Sequence, residues 1–101
     1  MQWFKDKDGN EFALDDETWA HIQEFHPEFK NVGEIESILL QPNLIVRSNW
    51  DRHSRLYYQR IRPRRYHVIV VEMIEKRIKT ALTTAAVKEG EILWPKQNLM
   101  L

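Results

Sequence analysis

The chain has 101 residues, no cysteine, 43% hydrophobic residues, and 15 Lys and Arg against 15 Asp and Glu. That length fits one domain, 1–101, large enough to bury a core without covalent staples, and the missing cysteines exclude disulfides and thiolate metal sites. No apolar run approaches the roughly 18 residues of a membrane span, and the opening MQWFKDKDGNEF lacks the basic-then-apolar order of a secretory signal, so the expected compartment is the cytoplasm, without membrane contact.

Gln2–Lys5 and Glu11–Leu14 flank Asp-Lys-Asp-Gly-Asn, which reads as a short hairpin whose turn uses the glycine. Asp15 and Asp16 then cap a helix with an apolar arc of Trp19, Ile22 and Phe25, with Phe29 just beyond and Pro27 marking its end. Asn31 or Gly33 starts a second helix carrying Ile35, Ile38 and Leu39, stopped before Pro42. The period then changes from helical to alternating. Leu44–Ser48, Leu56–Ile61, Tyr66–Ile74 and Arg77–Thr84 are rich in β-branched and aromatic residues and read as strands, with a tight turn at Glu75-Lys76. Val68–Val71 is apolar on both faces, so its strand is expected at the sheet centre. Ile92, Leu93 and Trp94 in the tail 88–101 need cover, as a short strand or an ordered arm. The expected class is α+β: two N-terminal helices on one face of an antiparallel sheet of about four strands, preceded by the hairpin.

The neutral total conceals a polarised molecule. Residues 1–36 hold ten acids against three lysines, whereas residues 37–71 hold seven arginines and the single acid Asp51. Those arginines are Arg47, Arg52, Arg55, Arg60, Arg62, Arg64 and Arg65, interleaved with Trp50, His53, Tyr57, Tyr58, Tyr66 and His67. Guanidinium groups suit planar anions such as phosphate, and aromatic rings offer faces for bases. An arginine run is also a common solvated strand edge, but a device for solubility alone normally mixes signs. Alternation puts Leu56, Tyr58 and Arg60 on one face and Tyr57, Gln59 and Ile61 on the other. Arg47 and Arg60 fall within strands, where they can face a cleft. Arg52, Arg55, Arg62, Arg64 and Arg65 fall at or near turns, where steering is the expected task.

His21 and His26 lie five positions apart on the first helix, about 140° around it, so they are no metal pair. His26 reads first as a structural histidine at a helix end, whereas His21, at the border of the apolar arc, reads equally as a group that moves protons. Thr80 and Thr84 share a strand face with Leu82, and Thr83 points the other way. A sheet face gathering His, Arg, Tyr and Thr would suit cleavage of a phosphodiester by the adjacent ribose 2′-OH, which needs a base, an acid and cations. No glycine-rich phosphate loop, Gly-x-Ser-x-Gly or His-Glu-x-x-His occurs, and no cofactor or metal is suggested.

The succession Trp19-Ala-His-Ile, Phe25-His-Pro-Glu, Glu34-Ile-Glu-Ser-Ile-Leu-Leu-Gln-Pro42, Tyr57-Tyr58, Tyr66-His-Val-Ile-Val-Val, Lys79-Thr-Ala-Leu-Thr-Thr and Lys88-Glu-Gly-Glu spans about Asp16 to Trp94. In that order it resembles the small phage- and mobile-element-associated nucleases of the barnase/EndoU/colicin/RelE-like superfamily. The resemblance implies metal-independent RNA cleavage, often by toxins or phage-conflict proteins. For such a protein the partners would be RNA, tRNA included, and an antitoxin or immunity protein. Carried over by position, the helix histidine falls on His21 with His26 following, the strand residues on Arg47, Tyr58 and Arg60, and the last-strand hydroxyl on Thr80 or Thr83. Leu82 departs from the pattern, standing where an aromatic is expected after Thr80-Ala81.

The leading expectation is therefore a ribonuclease with His21, Arg60, Tyr58 and Thr83 as its catalytic set. Arg47, His26, Arg55, Arg62, Arg64, Arg65, His67 and Thr80 would hold RNA or phosphate. The alternative is a non-catalytic RNA- or protein-binding module using the same basic face. As a further expectation the chain is a monomer or a homodimer, the latter with acidic helices of one copy against basic strands of the other.

Overall fold

The computed structural model of the protein describes residues 1–95. Seven strands form one sheet: β1 (Gln2–Lys5), β2 (Glu11–Leu14), β3 (Leu44–Arg47), β4 (Ser54–Arg62), β5 (Arg65–Glu72), β6 (Arg77–Thr84) and β7 (Ile92–Trp94), in the order β1-β2-β6-β5-β4-β3-β7. Helices α1 (Asp16–Phe25) and α2 (Val32–Leu40) lie between β2 and β3 in sequence. The α+β class holds, but the expected sheet of about four antiparallel strands does not. The sheet has seven strands and is mixed, because β2 runs parallel to β6. Strands β3 to β6 form the expected antiparallel centre, with β5 in the middle position.

Both edges were extended by elements whose local signal does not reveal their partner. The hairpin β1–β2 pairs internally from Gln2↔Leu14 to Lys5↔Glu11. It joins β6 through one register pair, Ala13↔Arg77, and the Ala13 N–H bonds to the Lys76 carbonyl at 2.9 Å. At the other edge β7 pairs antiparallel with β3. Residues 85–91 carry the chain to that edge across the sheet face away from the helices. Along the way Val87 packs on Val46, Leu56, Tyr58 and Val68, and the Lys88 N–H donates to Tyr58 Oη at 3.0 Å. Gly90 makes the crossing possible: a Cβ there would collide with the Arg47 carbonyl and stand 2.7 Å from Val46 Cγ1.

Local chemistry sets the helix ends. Asp15 caps α1 by accepting the Thr18 N–H at 2.7 Å, and Asn31 caps α2 by accepting the Glu34 N–H at 3.2 Å. Ile22, Phe29, Ile35, Ile38 and Leu39 meet Phe12, Tyr57, Ile69, Val71 and Ala81 of the sheet in the main core. α1 rests on β6, and α2 on β1, β4 and β5. Phe25 corrects the expected helix arc: it is 58% exposed. It lies about 60° to one side of Ile22 around the helix, and its ring stacks at 4.5 Å on His21. Neither helix is long and apolar enough to cross a membrane.

Buried polar groups are bonded. Asp6, 2% exposed, accepts from Tyr57 Oη at 2.5 Å, from Asn10 Nδ2 at 3.0 Å, and from the N–H groups of Asp8 and Asn10 at 2.9 Å each. This carboxylate ties the hairpin turn to β4. Burial pushes its pKa up, but Tyr57, Asn10 and the two backbone donors outweigh that and hold it below the ordinary value. The same burial, with Asp6 alongside, drives the Tyr57 hydroxyl far above its ordinary range.

Candidate functional site

Strand parity sorts the arginine-rich segment. Tyr57, Ile69 and Ala81 face the helices, so Gln59, His67 and Thr83, each two residues away toward the same end of the sheet, turn the same way where the helices no longer cover it. His67 pairs with Gln59 on one side and Thr83 on the other. The connection between α1 and α2 passes over this corner. It brings Phe29 onto His67, ring centroids 4.6 Å apart, and Glu28 onto Thr83, whose hydroxyl donates to Glu28 Oε2 at 2.5 Å.

The result is an open cleft of 320 Å³ lined by Glu28, Ile61, Arg65, His67 and Thr83. A second depression of 380 Å³ shares Ile61 and His67 with it and continues along α2 past Asn31, Glu34, Ser37 and Gln59. His26 caps the end of α1 with its Nδ1 3.8 Å from Glu28 Oε2. Electrostatics follow from this packing. Burial lowers the pKa of His67, the carboxylates of Glu34 and Glu28 pull the other way, and Arg65 adds to the lowering; the net shift is downward. His67 is therefore neutral at neutral pH and able to accept a proton. Burial raises the Glu28 carboxyl, but the Thr83 hydroxyl, a backbone N–H and the charges of His26 and His67 bring it below its ordinary value. Among the described residues, no three His, Asp or Glu side chains are grouped as a metal site requires.

Of the residues expected from the sequence to act together, the cleft gathers Thr83, His67, Arg65 and, through Glu28, His26. His21 is exposed on α1, stacked on Phe25, and does not line the cleft. Tyr58 and Arg60 lie on the opposite face of the sheet, separated from Thr83 by its thickness. Tyr58 is 1% exposed, its ring edge-on to Tyr66 and its oxygen taken by the Lys88 N–H. Thr80 faces the same outer side, opposite Val70. The proposed set His21, Arg60, Tyr58 and Thr83 is thus not one constellation. The helix that carries His21 packs on β6, and alternation sends even-numbered β4 residues away from it. Glu28 is the cleft residue sequence reasoning overlooked. Its signal was an acid two residues past a helix-ending histidine, in Phe25-His-Pro-Glu.

The remaining arginines divide by position. Arg47 and Arg55 are direct cross-strand partners at one end of β4, with Arg47 bonded to Glu91 at 3.0 Å and Arg55 beside Lys7 and Trp94 in a depression of 360 Å³. Arg62 and Arg65 are direct cross-strand partners at the other end, past a bulge between Arg60 and Arg62. Like charges placed directly opposite destabilise a ladder. Arg64, at the turn joining β4 to β5, has φ 62°, a conformation that favours glycine or asparagine. Among the described residues, Arg47 alone of the seven arginines has a carboxylate ion-pair partner.

No family model matches this chain, and no curated protein or solved structure matches it either.

Proposed function

We propose that this protein is a metal-independent ribonuclease acting at the cleft between Glu28 and His67. The observation that carries this reading is the convergence of a neutral-leaning histidine, an ionised carboxylate, a hydroxyl and an arginine around one open cleft. In the proposed reaction His67 takes the proton of a ribose 2′-OH, and the 2′ oxygen attacks the adjacent phosphorus. The P–O5′ bond breaks, and His26, as the general acid, gives the leaving oxygen a proton. The products are a 2′,3′-cyclic phosphate and a 5′-hydroxyl. Arg65 stabilises the charge that builds on the phosphorane oxygens. Glu28, 3.8 Å from His26 Nδ1, accepts the Thr83 hydroxyl and so ties both side chains to the cleft. Glu28 and Glu34 oppose an approaching phosphate, so the arginines at the cleft mouth are needed to offset them. A role as a toxin or in phage conflict, with an antitoxin or immunity partner, rests on the resemblance noted from the sequence alone.

The test is incubation of the pure protein with total RNA in EDTA, followed by end-group analysis. Cyclic phosphate ends, lost in His67→Ala and in Glu28→Gln, support the reading. Intact RNA at high protein concentration refutes it. The arginines without a carboxylate ion-pair partner among the described residues favour one second reading, a module that binds RNA through the same surface without turnover. It predicts salt-sensitive RNA binding by a protein that leaves the RNA whole.

A further inference from the structure

The tip of the β4–β5 hairpin is the most one-sided charge on the molecule. Arg60, Arg62, Arg64 and Arg65 fall within six residues with no acid between them, and none has a carboxylate ion-pair partner among the described residues. Two features show that this charge is maintained against local preference. The register sets Arg62 directly opposite Arg65, where an opposite charge or a polar pair would be better. The turn holds Arg64 at φ 62°, where glycine or asparagine would fit more easily. Strain of this kind at an exposed residue points to a task for the side chain. An anion bridging Arg62 and Arg65 would turn the first conflict into an attraction.

The tip also lacks what single-stranded recognition uses. Its central residue is Pro63, and the nearest ring, Tyr66, is half-buried and packed edge-on against Tyr58 at 6.1 Å. The widely exposed Trp50 lies beyond the other end of β4. Bases therefore find no stacking platform at the tip, whereas phosphates find several guanidinium groups on an exposed turn. Double-helical RNA is recognised through its phosphates, hydroxyls and shape, because its bases are stacked away.

From this we infer that the Arg62–Arg64–Arg65 tip docks the phosphate backbone of double-helical RNA flanking the strand presented to the cleft. The inference rests on the ribonuclease reading for its biological sense, and it names the substrate class: structured RNA rather than open single strands. Arg65 lines the cleft, so Arg62 and Arg64 are the residues that separate docking from chemistry.

The experiment compares binding of two fluorescein-labelled RNAs of equal length, a stem-loop and an oligouridine, both 2′-O-methylated so that no 2′-OH is free to attack, by anisotropy across a potassium chloride series. The variant is Arg62→Ala combined with Arg64→Gly; glycine suits the turn, so the fold is kept. The wild type should prefer the stem-loop. The variant should lose about tenfold or more of stem-loop affinity near 0.15 M salt, with the log–log salt slope shallower by about 2, as expected for two lost phosphate contacts. Its oligouridine affinity should stay within about twofold, since the lost contacts are specific to the helix. Equal losses for both RNAs, no loss for either, or failure of the wild type to bind the stem-loop at that salt would each overturn the inference. Binding is read on RNA that the proposed reaction cannot cut, so a protein that docks these stem-loops but leaves the unmodified stem-loop intact sinks the ribonuclease reading alone.

Discussion

Replacing Tyr57 with phenylalanine removes one oxygen and leaves the ring, which is fully buried, in place. That oxygen donates to Asp6 Oδ2 at 2.5 Å, and Asp6 itself is 2% exposed. A hydrogen bond to a charged group contributes about 1.5–3 kcal/mol. Asp6 keeps three other donors, from Asn10 Nδ2 and the N–H groups of Asp8 and Asn10, so it is not orphaned and a value of about 2 kcal/mol is expected. For a domain of this size that corresponds to a fall in Tm of roughly 8–16 °C. Urea titration followed by circular dichroism measures it directly, and pH gives the diagnostic signature. Asp6 is held below the ordinary carboxylate pKa in the folded state, so its contribution is present above the unfolded value and lost as pH falls through the lower folded one. Without the Tyr57 hydroxyl the folded value moves up. The gap between wild type and Tyr57→Phe should therefore be flat from about pH 8 to 5 and shrink below about pH 4. A gap under about 0.5 kcal/mol, or one as large at about pH 3 as at neutral pH, would refute a charge-assisted bond here.

Other expectations follow from the cleft and the crossing segment. Burial lowers the His67 pKa, so the unfolded chain takes up that proton first; the stability it contributes is present above about pH 6.5 and lost as pH falls toward the folded value. His67→Gln should flatten the stability difference between about pH 7.5 and 5.5 measured by urea midpoints, and should remove the acid limb of any cleavage profile. Thr83→Val should lower cleavage rate at least about tenfold while shifting stability by under about 1 kcal/mol, because the lost partner Glu28 can turn to water. Thr83→Ser should restore the rate, and a variant that cuts normally without any hydroxyl at 83 excludes Thr83 from the reaction. Gly90→Ala should cost about 1–3 kcal/mol in a thermal melt, because its Cβ cannot share space with the Arg47 carbonyl and Val46; a melt unchanged from wild type would mean that the segment shifts freely.

Several elements were legible because their signals are local. Asp15 and Asn31 announce helix starts, Pro42 a stop, and alternation fixes which residues of β4 share a face. The seven-strand sheet was not legible, because nothing in Glu11–Leu14 or Ile92–Trp94 says which strand each will lie beside. The parallel contact Ala13↔Arg77 joins residues 64 positions apart through a single pair. The same limit governed the site. Parity placed Thr83 and Tyr58 correctly on their own strands, but whether two strands turn the same residues toward one cleft depends on register, and the bulge at Arg60–Arg62 shifts that register within the basic segment. His67 was visible as a candidate, whereas Glu28 acquires its part only when the α1–α2 connection folds back over the end of β6.

The crossing of residues 85–91 also decides how the β3 edge is closed. Strand β7 reaches β3 by way of the face built by β3, β4 and β5, where the Tyr58 oxygen receives the Lys88 N–H. Without β7 the backbone of Ile45 and Val46 is an open edge, able to add a strand from another copy of the chain. A chain shortened before Ile92 should therefore retain its central hairpins yet self-associate through β3, so the last strand acts as the molecule's own guard against polymerising.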